Sequence, residues 1–298
     1  FSWGADNNTY TTHAIDVDNF LFDKRNAMVF VSAGNAGADA DSDFFPDLGT
    51  LGTPATTKNG LAIGASRNAN LGVNSPGSRE AFSSVGPAVD FGNVNRIAPQ
   101  LMAPGGEPGG GTLGISSEFA CRSGDNDQND PVQCDIIQGV EGTSFSSPAA
   151  AGAALVVRDY FAQGFYPDKT ANEADRTTSI GGALLKAMLI VSADFMDTPP
   201  GLNLTEGFRW NNEQGYGRIQ LDHALPLENW ADSPTGLIVH DPVSLTSNLN
   251  LSFSLGSGAS TETTFTVCND TERLAIALAW TDDVSGTPTA ELVNDLNL

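Results

Sequence analysis

The stretch that decides the fold is Glu141-Gly142-Thr143-Ser144-Phe145-Ser146-Ser147-Pro148, which runs directly into the small residues 149–155. The Gly-Thr-Ser turn and the alanines after it predict a helix that opens beside Ser144 and packs deep in a core. Pro148 suits the first turn of such a helix, where a missing N–H costs little. Free N–H groups and the positive end of the helix dipole meet at this N-terminus. Ser144 is therefore well placed to be a nucleophile whose transition state develops an oxyanion.

This box resembles the serine box of the subtilisin-like proteases (subtilases), usually Gly-Thr-Ser-Met-Ala-Ser/Thr-Pro, with Phe145 replacing Met and Ser146 replacing Ala. Further segments match the family in the same chain order. They are Ser2-Trp3-Gly4, Val29-Phe30-Val31-Ser32-Ala33-Gly34-Asn35, residues 53–65, residues 82–87 with 96–105, and Gln214-Gly215-Tyr216-Gly217-Arg218-Ile219. The resemblance covers residues 1 to about 228. It implies an α/β fold with a partial subtilisin-like parallel sheet and helices on both faces.

The resemblance also implies roles for single residues. Ser144 would attack the peptide carbonyl and form an acyl-enzyme, while Asn35 and the Ser144 N–H would donate to the oxyanion. The stretch Ser2-Trp3-Gly4 would pair with the substrate backbone as an added strand. Ala33 and Gly34 would line the wall of the S1 pocket. A small wall beside an apolar neighbour predicts a preference for large apolar or aromatic P1 residues.

Two members of the catalytic triad are missing from this chain. Subtilases carry the triad in the order Asp, His, Ser, and the family's Asp and His boxes would fall before Phe1. The three histidines, His13, His223 and His240, lie outside those boxes. The resemblance therefore predicts a fragment that is nearly inactive alone. In subtilisin, a member of the same family, losing the triad costs about 10⁶-fold in kcat.

The charge balance excludes two classes of partner. The chain has 36 acidic and 14 basic residues, giving a net charge of −22 at pH 7. Such a field repels nucleic acids and anionic membranes, and no run of eighteen apolar residues predicts a membrane span. We expect a secreted monomer that acts on protein or peptide substrates without a catalytic cofactor. A Cys121–Cys134 bridge would suit that oxidising setting, with two free thiols as the alternative and Cys268 left unpaired.

The chain is predicted to contain two domains. Residues 1–230 form the partial subtilisin-like catalytic domain, with helices at 14–27, 147–161 and 183–193 and short strands at 28–32, 61–65 and 100–103. A linker follows at 232–236. Residues 236–298 are predicted as an incomplete antiparallel β-sandwich (jelly-roll) domain, with strands at 249–255, 261–267 and 274–280. This part resembles the domain behind the catalytic domain of some subtilases and proprotein convertases.

Acidic clusters suggest a structural Ca²⁺ ion. Asp125, Asp127 and Asp130, with Asn129 among them, offer hard oxygens at the spacing of a Ca²⁺ loop, although no bidentate Glu closes a twelve-residue loop. The second acidic stretch, residues 39–43, is interpreted as solvated surface. Subtilases commonly bind Ca²⁺, which supports a structural ion without placing its ligands.

Two other functions stay open at this point. A pseudoprotease could keep the cleft and bind peptides without turnover, although such a protein has no chemical need for Ser144 and Asn35. A Ca²⁺-stabilised extracellular adhesion module would explain the charge and the C-terminal strands, but it does not explain the serine box.

Overall fold

The computed structural model describes residues 1–68, 77–89, 95–106, 141–196, 210–230, 233–241 and 273–284, with single positions 258, 260, 262, 264, 266, 267 and 296. Short elements precede the serine box and two long helices follow its start. In chain order they are β1 (Ala5–Asp6), α1 (Thr12–Asp23), β2 (Phe30–Ser32), β3 (Gly52–Thr53), β4 (Leu61–Arg67), β5 (Ala88–Val89), β6 (Asn95–Arg96), β7 (Leu101–Gly106), α2 (Thr143–Ala162) and α3 (Gly182–Ser192). Single 3-10 turns lie at Glu173–Asp175 and Leu221–His223.

A parallel sheet of order β2-β4-β7 forms the centre of the described structure. Phe30 pairs with Leu61 and Ile63 pairs with Leu101, both in parallel register. Every residue of β4 is buried, as expected for a short apolar strand covered on both faces. The predicted parallel sheet with flanking helices is thus confirmed, and its strands lie within three residues of their predicted ends.

The first residues of the chain lie along the free edge of β2. The Phe1 amino group donates to the Phe30 carbonyl at 2.5 Å, and the Ser32 N–H donates to the Phe1 carbonyl at 2.8 Å. The chain then continues into β1, which pairs antiparallel with β3. These bonds place Ser2-Trp3-Gly4 beside the start of α2, where Ser2 contacts Ser144.

The serine helix begins earlier than the sequence predicted. It runs from Thr143 rather than from residue 147, so Pro148 lies inside it and not in the first turn. Proline cannot donate to the carbonyl four residues before it, which here belongs to Ser144. That carbonyl instead accepts from the Ser2 hydroxyl at 3.1 Å. A residue 142 positions earlier in the chain therefore compensates the lost helical bond.

Apolar side chains of α2 and α3 cover the sheet. The main core cluster includes Ala154, Val157 and Phe161 of α2, Leu189 of α3 and Leu61 of β4. The small residues predicted to let this helix pack closely do so at Ala150 and Ala154, both buried. None of the described helices combines the length and apolar character needed to cross a bilayer.

The C-terminal part contacts the α/β body where it is described. Val239 is buried in the main core cluster, and Val284 packs against the small cluster of Tyr10, Ala14 and Ile15. The structure assigns no strand to residues 273–284, although a strand was predicted over 274–280. The other two predicted strands lie largely outside the described residues, so the β-sandwich stays a prediction.

Candidate active site

Ser144 is the second residue of α2 and is half-buried. Its hydroxyl donates to the Ser2 carbonyl at 3.4 Å, and the Ser2 hydroxyl donates back to the Ser144 carbonyl. No acceptor for the Ser144 N–H is recorded among the described residues. A free N–H at a helix N-terminus is suited to a developing negative charge.

Gly142 shapes the turn before the nucleophile. It has φ +152° and ψ 155°, a conformation that side chains rarely adopt. Its N–H donates to the Gly105 carbonyl at 2.7 Å, and its own carbonyl accepts from the Phe145 N–H at 3.0 Å. These two bonds fix the turn to β7 on one side and to the helix on the other. The direction of the Ser144 N–H is therefore set before any substrate binds.

Asn35 follows β2 and its amide orientation is defined by Thr143. The Asn35 Oδ1 accepts from the Thr143 N–H at 2.9 Å and from the Thr143 hydroxyl at 3.0 Å. Because a backbone N–H can only donate, the atom facing it must be the oxygen. The Asn35 Nδ2 lies on the other side of the amide, with no acceptor recorded in the described part of the chain. Sequence reasoning did not single out Thr143, although it stands inside the Gly-Thr-Ser box.

A cavity of about 350 Å³ brings most of the predicted site residues together. Its lining includes every predicted site residue outside the calcium loop except Ala33. The lining residues are Ser2, Trp3, Gly4, Asp6, Ser32, Gly34, Asn35, Ala36, Gly52, Thr143 and Ser144. Ala33 has 0% of its surface exposed and belongs to the core cluster around Val31. Ala33 comes directly after β2, whose three residues are all buried, and unlike Gly34 it does not line the cavity.

No histidine is hydrogen-bonded to Ser144 in the described structure. The edge of the His13 ring meets Trp3, with ring centroids 5.7 Å apart. His223 Nδ1 lies 3.0 Å from Asp194 Oδ1, and His240 is half-buried after the linker. Among the described residues the Ser144 hydroxyl donates to the Ser2 carbonyl, which cannot serve as the general base that serine proteases use.

The acidic stretch 39–43 does not fit a calcium cage. Carboxylate oxygens of Asp39, Asp41 and Asp43 lie within 4.8 Å of one another, but Ca²⁺ takes six to eight oxygens. Both Asp39 oxygens already accept backbone N–H bonds, from Ser42 and Asp43 on one and from Phe44 on the other. Desolvation raises the pKa of the Asp39 carboxyl, yet these N–H groups outweigh it and the pKa lies below its usual value. The carboxylates stabilise a turn.

The other predicted ligands lie outside the described residues. This applies to Asp125, Asp127 and Asp130 of the predicted calcium loop and to the cysteines of the predicted bridge, Cys121 and Cys134. Their roles stay predictions.

Comparison with known proteins identifies the family. Residues 1–217 match the model of the subtilase family. Two curated relatives from Dictyostelium discoideum are the serine protease/ABC transporter B family proteins tagA, 30% identical over 232 residues, and tagB, 26% identical over 251 residues. Each alignment covers 73% of this chain but only 11% and 12% of the relatives, so the chain spans about a tenth of their length.

Solved structures resemble the chain more loosely. Sphericase has a TM-score of 0.45 and 16% identity, covering 74% of this chain and 55% of its own. A serine protease of Aeromonas sobria has a TM-score of 0.42 and 19% identity, covering 75% and 42%. The family match itself spans 217 of 298 residues. On that match, the chain belongs to the subtilase family.

Proposed function

We propose that this chain supplies the nucleophile and the oxyanion hole of a serine endopeptidase that hydrolyses peptide bonds in protein or peptide substrates. One observation carries the proposal. The Ser144 hydroxyl, the Ser144 N–H and the oriented amide of Asn35 border the same cavity. The word protease in the names of the two relatives agrees with it.

The reaction follows from these positions. Ser144 Oγ adds to the carbonyl carbon of the scissile bond, and the carbonyl oxygen takes up negative charge. The Ser144 N–H and the Asn35 Nδ2 group donate to that oxygen. Collapse of the tetrahedral species breaks the C–N bond, the leaving nitrogen takes the proton lost by Ser144 from the base and departs as the amine, and the acyl group stays on Ser144. Water then adds to the acyl carbon, the C–Oγ bond breaks, and the carboxylic acid leaves while Ser144 regains its proton.

The proton of the Ser144 hydroxyl needs an acceptor for this addition. The Ser2 carbonyl that it now contacts is far too weak a base at neutral pH. The proton must therefore pass to a base other than Ser2, and an external base can take this role in an assay. The described residues provide attack and charge stabilisation, and we assign them no part in the proton transfer.

Acylation of Ser144 tests the proposal directly. The chain is mixed with a peptidyl p-nitrophenyl ester in imidazole buffer, which supplies the base, and nitrophenol release is followed together with the mass of the protein. We expect one acyl group per chain, located on Ser144 by peptide mapping, and none in Ser144→Ala. Ser146→Ala is the matched control, because it removes a buried hydroxyl two residues further along the same helix. Its acylation should remain.

Asn35→Ala separates charge stabilisation from attack. It should slow acylation by about 100- to 1,000-fold, the effect of losing the oxyanion-hole asparagine in subtilisin, a member of the same family. Equal acylation of Ser144→Ala and the unaltered chain would refute the proposal. Peptide binding in the cavity without any acylation of Ser144 would favour the pseudoprotease instead.

A further inference from the structure

The described lining of the cavity beside Ser144 carries one negatively charged side chain. Asp6 is the one ionisable side chain among the described residues that line it. The other lining residues are small or polar, apart from Trp3. A single carboxylate among otherwise uncharged described lining residues favours ligands of positive charge.

The backbone holds Asp6 in a fixed relation to the oxyanion hole. Asp6 pairs with Gly52 in the β1–β3 ladder. The Gly52 N–H in turn donates to the Ala33 carbonyl at 3.0 Å, two residues before Asn35. Asp6 is exposed, and its carboxylate makes no hydrogen bond or ion pair with another described residue. A ligand can therefore meet it without displacing another described side chain.

Trp3 offers a second recognition surface in the same cavity. Its side chain is 53% exposed. The rings of Phe1 and His13 meet it in edge arrangements, with centroids 6.1 Å and 5.7 Å away, and restrict its motion. Tryptophan is the aromatic side chain that attracts ammonium and guanidinium groups most strongly. A carboxylate and an exposed indole together suit a cation better than an alkyl or acidic group.

We propose that this cavity receives a lysine or arginine side chain of the substrate, with Asp6 as the specificity-determining residue. The inference rests on the proposed function and names its substrate class, peptides with a basic residue beside the scissile bond. It departs from the apolar or aromatic preference that the small residues predicted. The net charge of −22 acts in the same direction, because it steers cationic peptides toward the chain.

Paired boronic acid probes test the inference. Two peptidyl boronic acids are compared that differ only in the side chain next to boron, aminobutyl in one and butyl in the other. The boron binds the Ser144 hydroxyl, so the side chain is presented to the neighbouring cavity. Calorimetry should give an aminobutyl preference of about three- to tenfold, the range of an exposed ion pair with a cation–π contact. The preference should shrink as salt is added.

Two variants distinguish Asp6 from the general field of the protein. Asp6→Asn should bring the ratio of the two affinities close to one. Asp16→Asn makes the same change in net charge on the exposed side of α1, away from the lining, and should keep the ratio. A ratio that Asp6→Asn leaves unchanged, or no aminobutyl preference at all, overturns the inference. If neither probe binds and Ser144→Ala changes nothing, the proposed function fails as well.

Discussion

A buried ion pair joins the C-terminal segment to the α/β body and gives a sharp prediction. Lys58 Nζ lies 3.0 Å from Asp282 Oδ2, with 1% and 2% of the two side chains exposed. Lys58 Nζ also donates to the Asp283 carbonyl at 2.9 Å. The Asp282 N–H and carbonyl are held by the side-chain amide of Asn59 at 2.7 and 2.9 Å. Asn59 thus holds the backbone of Asp282 in place, and the Asp282 carboxylate is kept beside Lys58.

Removing the carboxylate should cost far more than losing a surface ion pair. In Asp282→Leu the Lys58 ammonium would stay buried, with the Asp283 carbonyl as its remaining polar contact among the described residues. Breaking a buried pair in this way costs about 3–5 kcal/mol, because an uncompensated charge is left behind. Replacing both partners, as in Lys58→Met with Asp282→Leu, removes the stranded charge. The double variant should be about as stable as the unaltered chain.

Urea unfolding followed by tryptophan fluorescence and circular dichroism measures these differences. The exposed pair between Glu173 and Arg176, 3.8 Å apart, is the matched control. Glu173→Gln should change the free energy of unfolding by less than about 1 kcal/mol. A loss below 1 kcal/mol in Asp282→Leu, or a double variant no more stable than Asp282→Leu, would refute the reasoning.

Three further predictions concern buried groups. Ser146 Oγ is buried without a hydrogen-bond partner among the described residues, so Ser146→Ala should raise the free energy of unfolding by about 1 kcal/mol. A Cβ on Gly105 would overlap Ser146 Oγ and lie 2.6 Å from the Ala65 Cβ, so Gly105→Ala should destabilise by about 1–3 kcal/mol. Burial lowers the pKa of Lys186 from 10.5 to about 8. The unfolded chain therefore binds more protons between these two values, and the contribution of Lys186 to stability should rise with pH across this window; Lys186→Met should remove that rise.

Urea midpoints check all three, with the pH series run from 7.5 to 10.5. A lower midpoint for Ser146→Ala, an unchanged midpoint for Gly105→Ala, or the same pH slope with and without Lys186 would each contradict the corresponding prediction.

Local sequence patterns predicted the sheet well. The short apolar run at 28–32 predicted a buried parallel strand, and residues 61–65 were a further strand candidate, because such runs are shorter than an ordinary buried helix. The start of α2 was predicted too late for an equally clear reason. Pro148 lacks an N–H, and local rules place such a residue in the first helical turn. Local rules cannot take account of Ser2, which lies 142 residues away in the sequence and whose hydroxyl donates to the Ser144 carbonyl.

The candidate site also combines features with a local sequence pattern and contacts between residues far apart in the sequence. Ser144 and Asn35 were found because each stands in a segment with its own pattern. Their mutual arrangement depends on Thr143, which bonds Asn35 across 108 residues, and no local pattern contains that bond. Asp6 was missed for a related reason. It follows a recognisable Ser-Trp-Gly stretch, but only its pairing with Gly52 in the β1–β3 ladder brings it to the cavity.

Thr143 links the two donors of the proposed oxyanion hole. The Thr143 N–H and hydroxyl donate to the Asn35 oxygen, and Thr143 directly precedes Ser144, whose N–H is the other donor. Thr143 Oγ1 also accepts from the Gly34 N–H at 3.2 Å, and the Gly34 carbonyl, again at 3.2 Å, shares the single hydroxyl proton with the Asn35 oxygen. Any displacement of Asn35 is therefore transmitted to the start of α2. A hole built from two distant segments keeps its geometry only if they move together, and a residue bonded to both is what that requires.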